Sequence, residues 1–374
     1  MSWPLVTLSE TCEILMGQAP EGSSYNEIGE GVPLLAGAGD FGDITPTPKK
    51  FTTQAGKLSM FGDLIICIRA TIGDLNWSDK TYCLGRGVAG LRPIKDKLNP
   101  NYLWHFIGSY RHELASKGTG STFKQVNRTH IAEWEIPLPP LAEQKRIADI
   151  LDKADGIRRK RQQAIQLADD FLRALFLDMF GDPVNNPKGW EVKPVGDLCD
   201  CIVPGRDKPR SFTGSTPWIT TTELNHLGIT LKKKSYLGLS VDEIGEVRAK
   251  IVPKGSVIMT CVGDLGVISI AGEDMVINQQ LHAFLPSEKL TPSFLSYALA
   301  WQKGYMLRMA SSTTLPYMNK TVCNSVPVIL PPKEMQAKFE SVVGKLADYK
   351  SKSLRFTNES AFQSLSNKAF LGQL

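Results

Sequence analysis

Asp182 and the run Glu191-Val192-Lys193 combine spaced carboxylates with a lysine, as metal-dependent nucleases do when they hold Mg²⁺. Gly37-Ala38-Gly39-Asp40-Phe41-Gly42 satisfies the glycine spacing of a dinucleotide loop, whose chemistry is to seat a pyrophosphate on a helix N-terminus. Asp43-Ile44-Thr45-Pro46-Thr47-Pro48 follows it, and two prolines forbid a useful helix there. Cys199-Asp200-Cys201 is the one close cysteine pair, and no second pair or histidine cluster completes a zinc site, so no metal is expected. His105, His112, His130, His226 and His282 stand near no Ser or Cys nucleophile motif, and no Gly-x-x-x-x-Gly-Lys-Ser/Thr phosphate loop occurs. Nor is there an Asn-Pro-Pro-Tyr or Asp-Pro-Pro-Tyr string. No catalytic residue is assigned.

The elements that would position any site are clearer. After Leu138-Pro139-Pro140, residues 141–180 contain no proline and a single glycine, Gly156, until Gly181 closes the run. Apolar residues at Ile147, Ile150, Ala154, Ile157, Ala164, Ala168, Phe171 and Leu175 predict a long helix with a heptad-like seam broken at Arg161. Such a stripe needs a partner helix. Leu330-Pro331-Pro332 repeats the proline string, and the seam after it reads Phe339, Val342, Leu346, Tyr349, Ser353 and Phe356, with Gln336 repeating Gln144.

The duplication extends upstream. Asn127-Arg128-Thr129 faces Asn319-Lys320-Thr321, Gly62-Asp63-Leu64-Ile65-Ile66 faces Gly255-Ser256-Val257-Ile258-Met259, and Trp3 faces Trp190. Pro4 stands opposite Glu191, so the nuclease-like set begins a domain instead of filling its centre. The expected organisation is a globular domain 1–136, a long helix 137–182, a second domain 183–327 and a C-terminal helix 328–374. Short β-like runs at 32–35, 64–68, 88–91, 218–220, 256–261 and 266–270, with helices near 101–114 and 293–309, make each domain mixed α+β.

Seven scattered cysteines suit reduced core thiols, and the expected setting is the cytoplasm, without a membrane span or signal peptide. Residues 1–187 hold 21 Lys+Arg against 22 Asp+Glu, and residues 188–374 hold 22 against 16. The resulting +6 on the second half suits contact with nucleic acid without being histone-like.

Two mixed domains, each ending in a Pro-Pro string and a long helix, resemble the specificity subunit of type I restriction–modification systems. The marks are Ile136-Pro137-Leu138-Pro139-Pro140-Leu141-Ala142-Glu143-Gln144-Lys145-Arg146-Ile147, the Gly120-Ser121-Thr122 loop before it, and Gly189-Trp190-Glu191 opening the second copy. The second copy departs from the pattern at Lys333-Glu334-Met335-Gln336. The resemblance covers the whole chain. It implies two target-recognition domains separated by two antiparallel helices and no chemistry of the chain's own. It also implies double-stranded DNA with a bipartite site as ligand, methyltransferase subunits (two of them) on the helices, and restriction subunits joining them. S-adenosylmethionine, ATP and Mg²⁺ are then expected in those partners.

Residues suited to guanine or phosphate contacts are Arg69 and Arg86 in the first domain and Arg206, Lys208, Arg210 and Arg308 in the second. The loops supply Lys117, Thr119, Ser121, Lys124 and Arg128, matched by Ser311, Ser312, Thr313 and Lys320. Lys232-Lys233-Lys234 also suits a solvated turn. Two other readings stay open: a protein-interaction scaffold that does not read DNA, and a nuclease built on Asp182, Glu191 and Lys193.

Overall fold

A computed structural model describes residues 3–120, 124–205, 207–232, 237–311, 314–356 and 359–374; the side chains of 353–356, 359 and 360 are outside the description. The chain divides into two compact units, Met1–Gln162 with Arg355–Leu374, and Gln163–Leu354. The division falls within both helical regions.

In the first unit a four-stranded antiparallel sheet runs in the order Cys12–Met16, Val88–Pro93, Leu64–Cys67, Leu75–Trp77. Alternation splits the residues of the central strand between two cores, as a strand's period of two requires. Leu64 and Ile66 pack with the helix Pro100–Ser116, while Ile65 packs with Tyr82 and with Leu35 and Leu84 of a second sheet. Pro100 opens that helix, and the Asn99 side chain caps it by accepting from the Tyr102 amide at 3.0 Å. The second unit repeats the scheme. Its main sheet runs Cys201–Ile202, Leu281–Phe284, Val257–Thr260, Ile268–Ala271, Ile229–Thr230, and Thr291 caps the helix Pro292–Trp301.

The repeated glutamines explain the repeated prolines. Gln144 is 1% exposed; its Oε1 accepts from the Asn99 amide at 2.8 Å, and its Nε2 donates to the Lys97 and Pro139 carbonyls. Gln336, also 1% exposed, binds the Thr291 amide and the Lys289 and Pro331 carbonyls in the same way. Each glutamine ties a helix entrance to the helix cap of its own domain.

The long helix is continuous from Leu141 to Phe180. Gly181 ends it at φ 77°, a left-handed position that favours glycine, and the Trp190 indole N–H donates to the last carbonyl, of Phe180, at 2.8 Å. Its seam departs from the heptad expectation. Ile147 is buried, as are Ala148 and Leu151 in the first unit and Ile165, Ala168, Leu172, Phe176 and Phe180 in the second. Ile150, Ala154 and Leu175 are half-buried, whereas Ile157 and Phe171 are exposed, at 51% and 53%. The wall that the helix packs against changes between its halves, so one stripe cannot serve both.

In the C-terminal region helix is described over Lys333–Phe356 and over Glu359–Phe370. The first runs antiparallel to the second half of the long helix: Phe339 packs on Phe176 and Phe180, and Lys350 pairs with Asp169. Val342 and Leu346 join the same core, Tyr349 is 47% exposed, and the side chains of Ser353 and Phe356 lie outside the described residues. The second segment belongs to the first unit. Phe370, 2% exposed, places its ring against Tyr102, Phe106 and Tyr110 at centroid distances of 5.1, 5.6 and 5.7 Å.

Candidate nucleic-acid interface

The central strand of each unit runs one residue past its sheet and meets two loops there. In the first unit the Ile68 amide donates to the Gly87 carbonyl at 2.9 Å, and the Val126 amide donates to the Ile68 carbonyl at 3.0 Å. Antiparallel bridges join Arg69 to Gln125 and Gln125 to Thr119. Arg69, Arg86, Thr119 and Lys124 therefore collect at one end of the sheet. Lys117 lies beside them at the end of the helix Pro100–Ser116, and Arg128 opens a short helix capped by Asn127. Arg86, Lys117, Thr119, Lys124 and Arg128 are exposed and Arg69 is half-buried.

The second unit builds the same frame. The Cys261 amide donates to Gln280, the Met318 amide to Cys261, and Ser311 bonds Tyr317. Ser311 and Lys320 take the places of Thr119 and Arg128, and Asn319 caps the short helix as Asn127 does. The Gln279 side chain donates to the Asp207 carbonyl at 3.2 Å, which brings the segment carrying Lys208 to this end. Lys208, Arg210, Arg308, Ser311 and Lys320 are exposed. Ser121, Arg206, Ser312 and Thr313 lie outside the described residues, as do Lys233 and Lys234.

Several arginines away from this end are paired with carboxylates. Arg92 pairs with Asp63 and Glu13, Arg111 with Asp74, Arg146 with Glu143, and Arg158 and Arg159 with Asp155. Asp63 raises the already high pKa of Arg92 further. Arg69 and Arg86 have no carboxylate within ion-pair distance among the described residues, and the Nε of Arg69 is buried without a hydrogen-bond partner. An anion, or an acceptor on a base edge, satisfies such groups.

The Gly37 loop also reaches this end, as a turn. Ala38–Asp40 forms one turn of 3₁₀ helix, and the Asp40 carboxylate accepts from the amides of Ala36 and Gly37. The protein's own anion occupies the donors that a pyrophosphate would need. A Cβ at residue 87 would stand 2.1 Å from the Ala36 oxygen, so Gly87 is required by the close approach of the two backbones. The second unit has Thr221–Glu223 there, with Glu223 accepting from the Thr220 amide. The Gly37 turn agrees with the prolines that follow it in the sequence, whereas nothing there singles out Gln279, because its place is recognised only through strand register. Elsewhere, Glu191 pairs with Lys193 at 2.8 Å on a two-stranded edge, and Asp182 caps the Val184 amide. Those carboxylates are engaged in local structure and do not converge.

The family model for the type I restriction modification DNA specificity domain matches residues 2–167 and again 187–351. The chain belongs to this family. The two matches coincide with the repeat, so each unit contains most of one specificity domain. Among curated relatives, a putative type I restriction enzyme MjaX specificity subunit from Methanocaldococcus jannaschii is 36% identical over 180 residues, which cover 47% of this chain and 42% of the relative. The EcoBI specificity subunit of Escherichia coli is 22% identical over 100% of this chain and 86% of its own. The crystal structure of a type I restriction–modification S subunit from M. genitalium shares the fold, with a TM-score of 0.64 at 14% identity over 100% of this chain and 96% of that one. Among the described residues no helix is long and apolar enough to cross a membrane.

Proposed function

We propose that this chain is the DNA sequence-specificity subunit of a type I restriction–modification complex. Each specificity domain reads one half of a bipartite duplex site through the loop-lined end of its main sheet. The observation that carries this reading is the duplicated frame: two matching sets of backbone hydrogen bonds present different side chains, as two readers of unrelated short sequences must. Unpaired Arg69 and Arg86, with the exposed cations around them, supply phosphate anchors and base contacts.

The chain's own part is selection, and catalysis belongs to partner subunits. Methylation of adenine from S-adenosylmethionine, and ATP- and Mg²⁺-dependent restriction, are assigned to those partners. The helical segments set the gap between half-sites and dock two methyltransferase subunits. Ile157, Leu167, Phe171 and Tyr349, each at least 47% exposed, are apolar groups of the kind that protein docking covers. Single-molecule methylation sequencing with and without the gene tests the reading: N6-methyladenine at one split motif should vanish on deletion. Replacing residues 183–327 with those of a relative should then change one half of the motif. A methylome that does not respond to deletion in a host with an active partner methyltransferase refutes the proposal.

A further inference from the structure

Arg69 holds a position in the first frame that the second frame fills differently, and the backbone hydrogen bonds give the correspondence. Cys67 pairs with Val88 and Thr260 with Leu281, and each register continues one step, to Ile68 with Gly87 and Cys261 with Gln280. The Ala70 amide then donates to the Lys124 carbonyl, and the Gly263 amide to the Pro316 carbonyl. Arg69 therefore corresponds to Val262, and Ala70 to Gly263. Gly263 takes φ 79°, a left-handed position open to glycine, whereas Ala70 takes φ 58° there against the preference of its side chain. Strain of that kind persists where the surroundings over-determine it. Here they do. Ile72 is buried in the core of the unit, the Cys67 thiol donates to the Arg69 carbonyl at 3.0 Å, and Arg69 bridges to Gln125.

Resting on the proposed function above, we propose that Arg69 reads a guanine in the first half-site, while the exposed Arg86, Lys117, Lys124 and Arg128 around it hold phosphates. A base-reading side chain has to be aimed within narrow limits, and the pinned backbone of Arg69 supplies that aim. The residue is half-buried, and its Nε is buried without a hydrogen-bond partner. A buried donor left unpaired in the free chain is satisfied by engaging an acceptor on binding. Asp74, the carboxylate of the same hairpin loop, is taken by Arg111 at 3.0 Å, so among the described residues no internal charge neutralises Arg69. A guanidinium fork donates twice, to guanine O6 and N7, two acceptors side by side that no other base presents. The cations around it are exposed, and there a single charge suffices for a phosphate. In the second frame Val262 packs against the core and offers no donor, so the second half-site has no counterpart of this contact.

The test uses the full chain co-expressed with its methyltransferase in a host without other adenine methylation, and reads the methylome of the wild type and two variants. Arg69→Val installs the residue that the second frame carries. It should lower methylation of the wild-type motif roughly 5- to 150-fold, the span of one bidentate base contact, by relaxing one G·C pair of the first half-site. The second half-site should be unchanged. Arg69→Lys keeps the charge but loses the fork, and should relax the same pair while leaving the salt dependence of DNA binding unchanged. This variant decides the matter if Arg69→Val fails to fold. A uniform loss of methylation with every base preference intact would make Arg69 a phosphate anchor and overturn the proposal. Relaxation at an A·T pair, or an unchanged motif in both variants, overturns it too, while leaving the bipartite reading in place. A wild-type chain that directs no split motif removes the proposed function and this inference with it.

Discussion

Replacing Phe370 with alanine should unfold the first domain selectively, although the residue lies at the far end of the chain. Phe370 is 2% exposed and meets three rings, Tyr102, Phe106 and Tyr110, within 5.7 Å. A buried Phe→Ala change costs about 3–5 kcal/mol through lost transfer energy and the cavity left behind. Against a domain stability of roughly 5–15 kcal/mol, that is a large share. At about 4 kcal/mol, amides that exchange only by opening of the first unit should exchange roughly a thousandfold faster. Hydrogen exchange read by mass spectrometry would show this in the helix Pro100–Ser116 and the strand Leu64–Cys67, with Val257–Thr260 and Leu281–Phe284 unchanged. Phe180→Ala should give the mirror result, because Phe180 is fully buried against Phe294 at 4.8 Å and Phe339 at 5.7 Å in the second unit. The reasoning is refuted if Phe370→Ala deprotects residues of 163–354 as strongly as those of 1–162, or leaves both untouched.

Gln144→Ala should destabilise the first unit by about 1–3 kcal/mol, since it strands the half-buried Asn99 amide and the buried Pro139 carbonyl. Urea unfolding measures the loss, and Gln144→Glu should recover little of it because a carboxylate cannot donate to that carbonyl. Burial, helped by the Lys320 charge and opposed by a bond to Asn324, holds the imidazole of His282 down to about 4 from an ordinary 6.5. Above pH 6.5 both folded and unfolded chains keep it neutral and the shift has no effect. Between pH 6.5 and 4 the unfolded chain takes up a proton that the folded chain refuses, so stability falls by about 3 kcal/mol. Denaturant titrations at pH 7 and 4.5 should show a shallower fall for His282→Gln than for the wild type; equal falls would place the acid sensitivity elsewhere.

The repeat was legible because it is written in residues with local duties. The glutamine after each Pro-Pro string, the asparagine before each short helix and the Gly62/Gly255 pair each do one job twice: tying an entrance, capping a helix, turning at positive φ. The seam of the long helix was less legible. Phe171 and Leu172 are adjacent and both apolar, and only the wall in front of the helix decides that Leu172, at 3%, is buried while Phe171 is exposed. The same limit applied to the C-terminal region, where helical periodicity cannot reveal that Phe339 and Phe370 serve different cores. At the candidate interface the basic loops could be found by composition. Their meeting with Arg69 and Arg86 could not, because it depends on strand pairs far apart in the chain.

The placement of Glu359–Phe370 in the first unit bears on the order in which a ribosome can deliver a finished molecule. Chains are made from the N-terminus at roughly 5–20 residues per second, and domains ordinarily fold as they emerge. Here the first domain must wait for a helix encoded about two hundred residues after Gln162, a delay of roughly 10 to 40 s on those rates. During that interval the faces of Tyr102, Phe106 and Tyr110 that Phe370 covers are open to solvent or to a chaperone. The second domain, contiguous from Gln163 to Leu354, has all its parts earlier. The domain begun first is completed last, and it lacks one wall until Phe370 has been made.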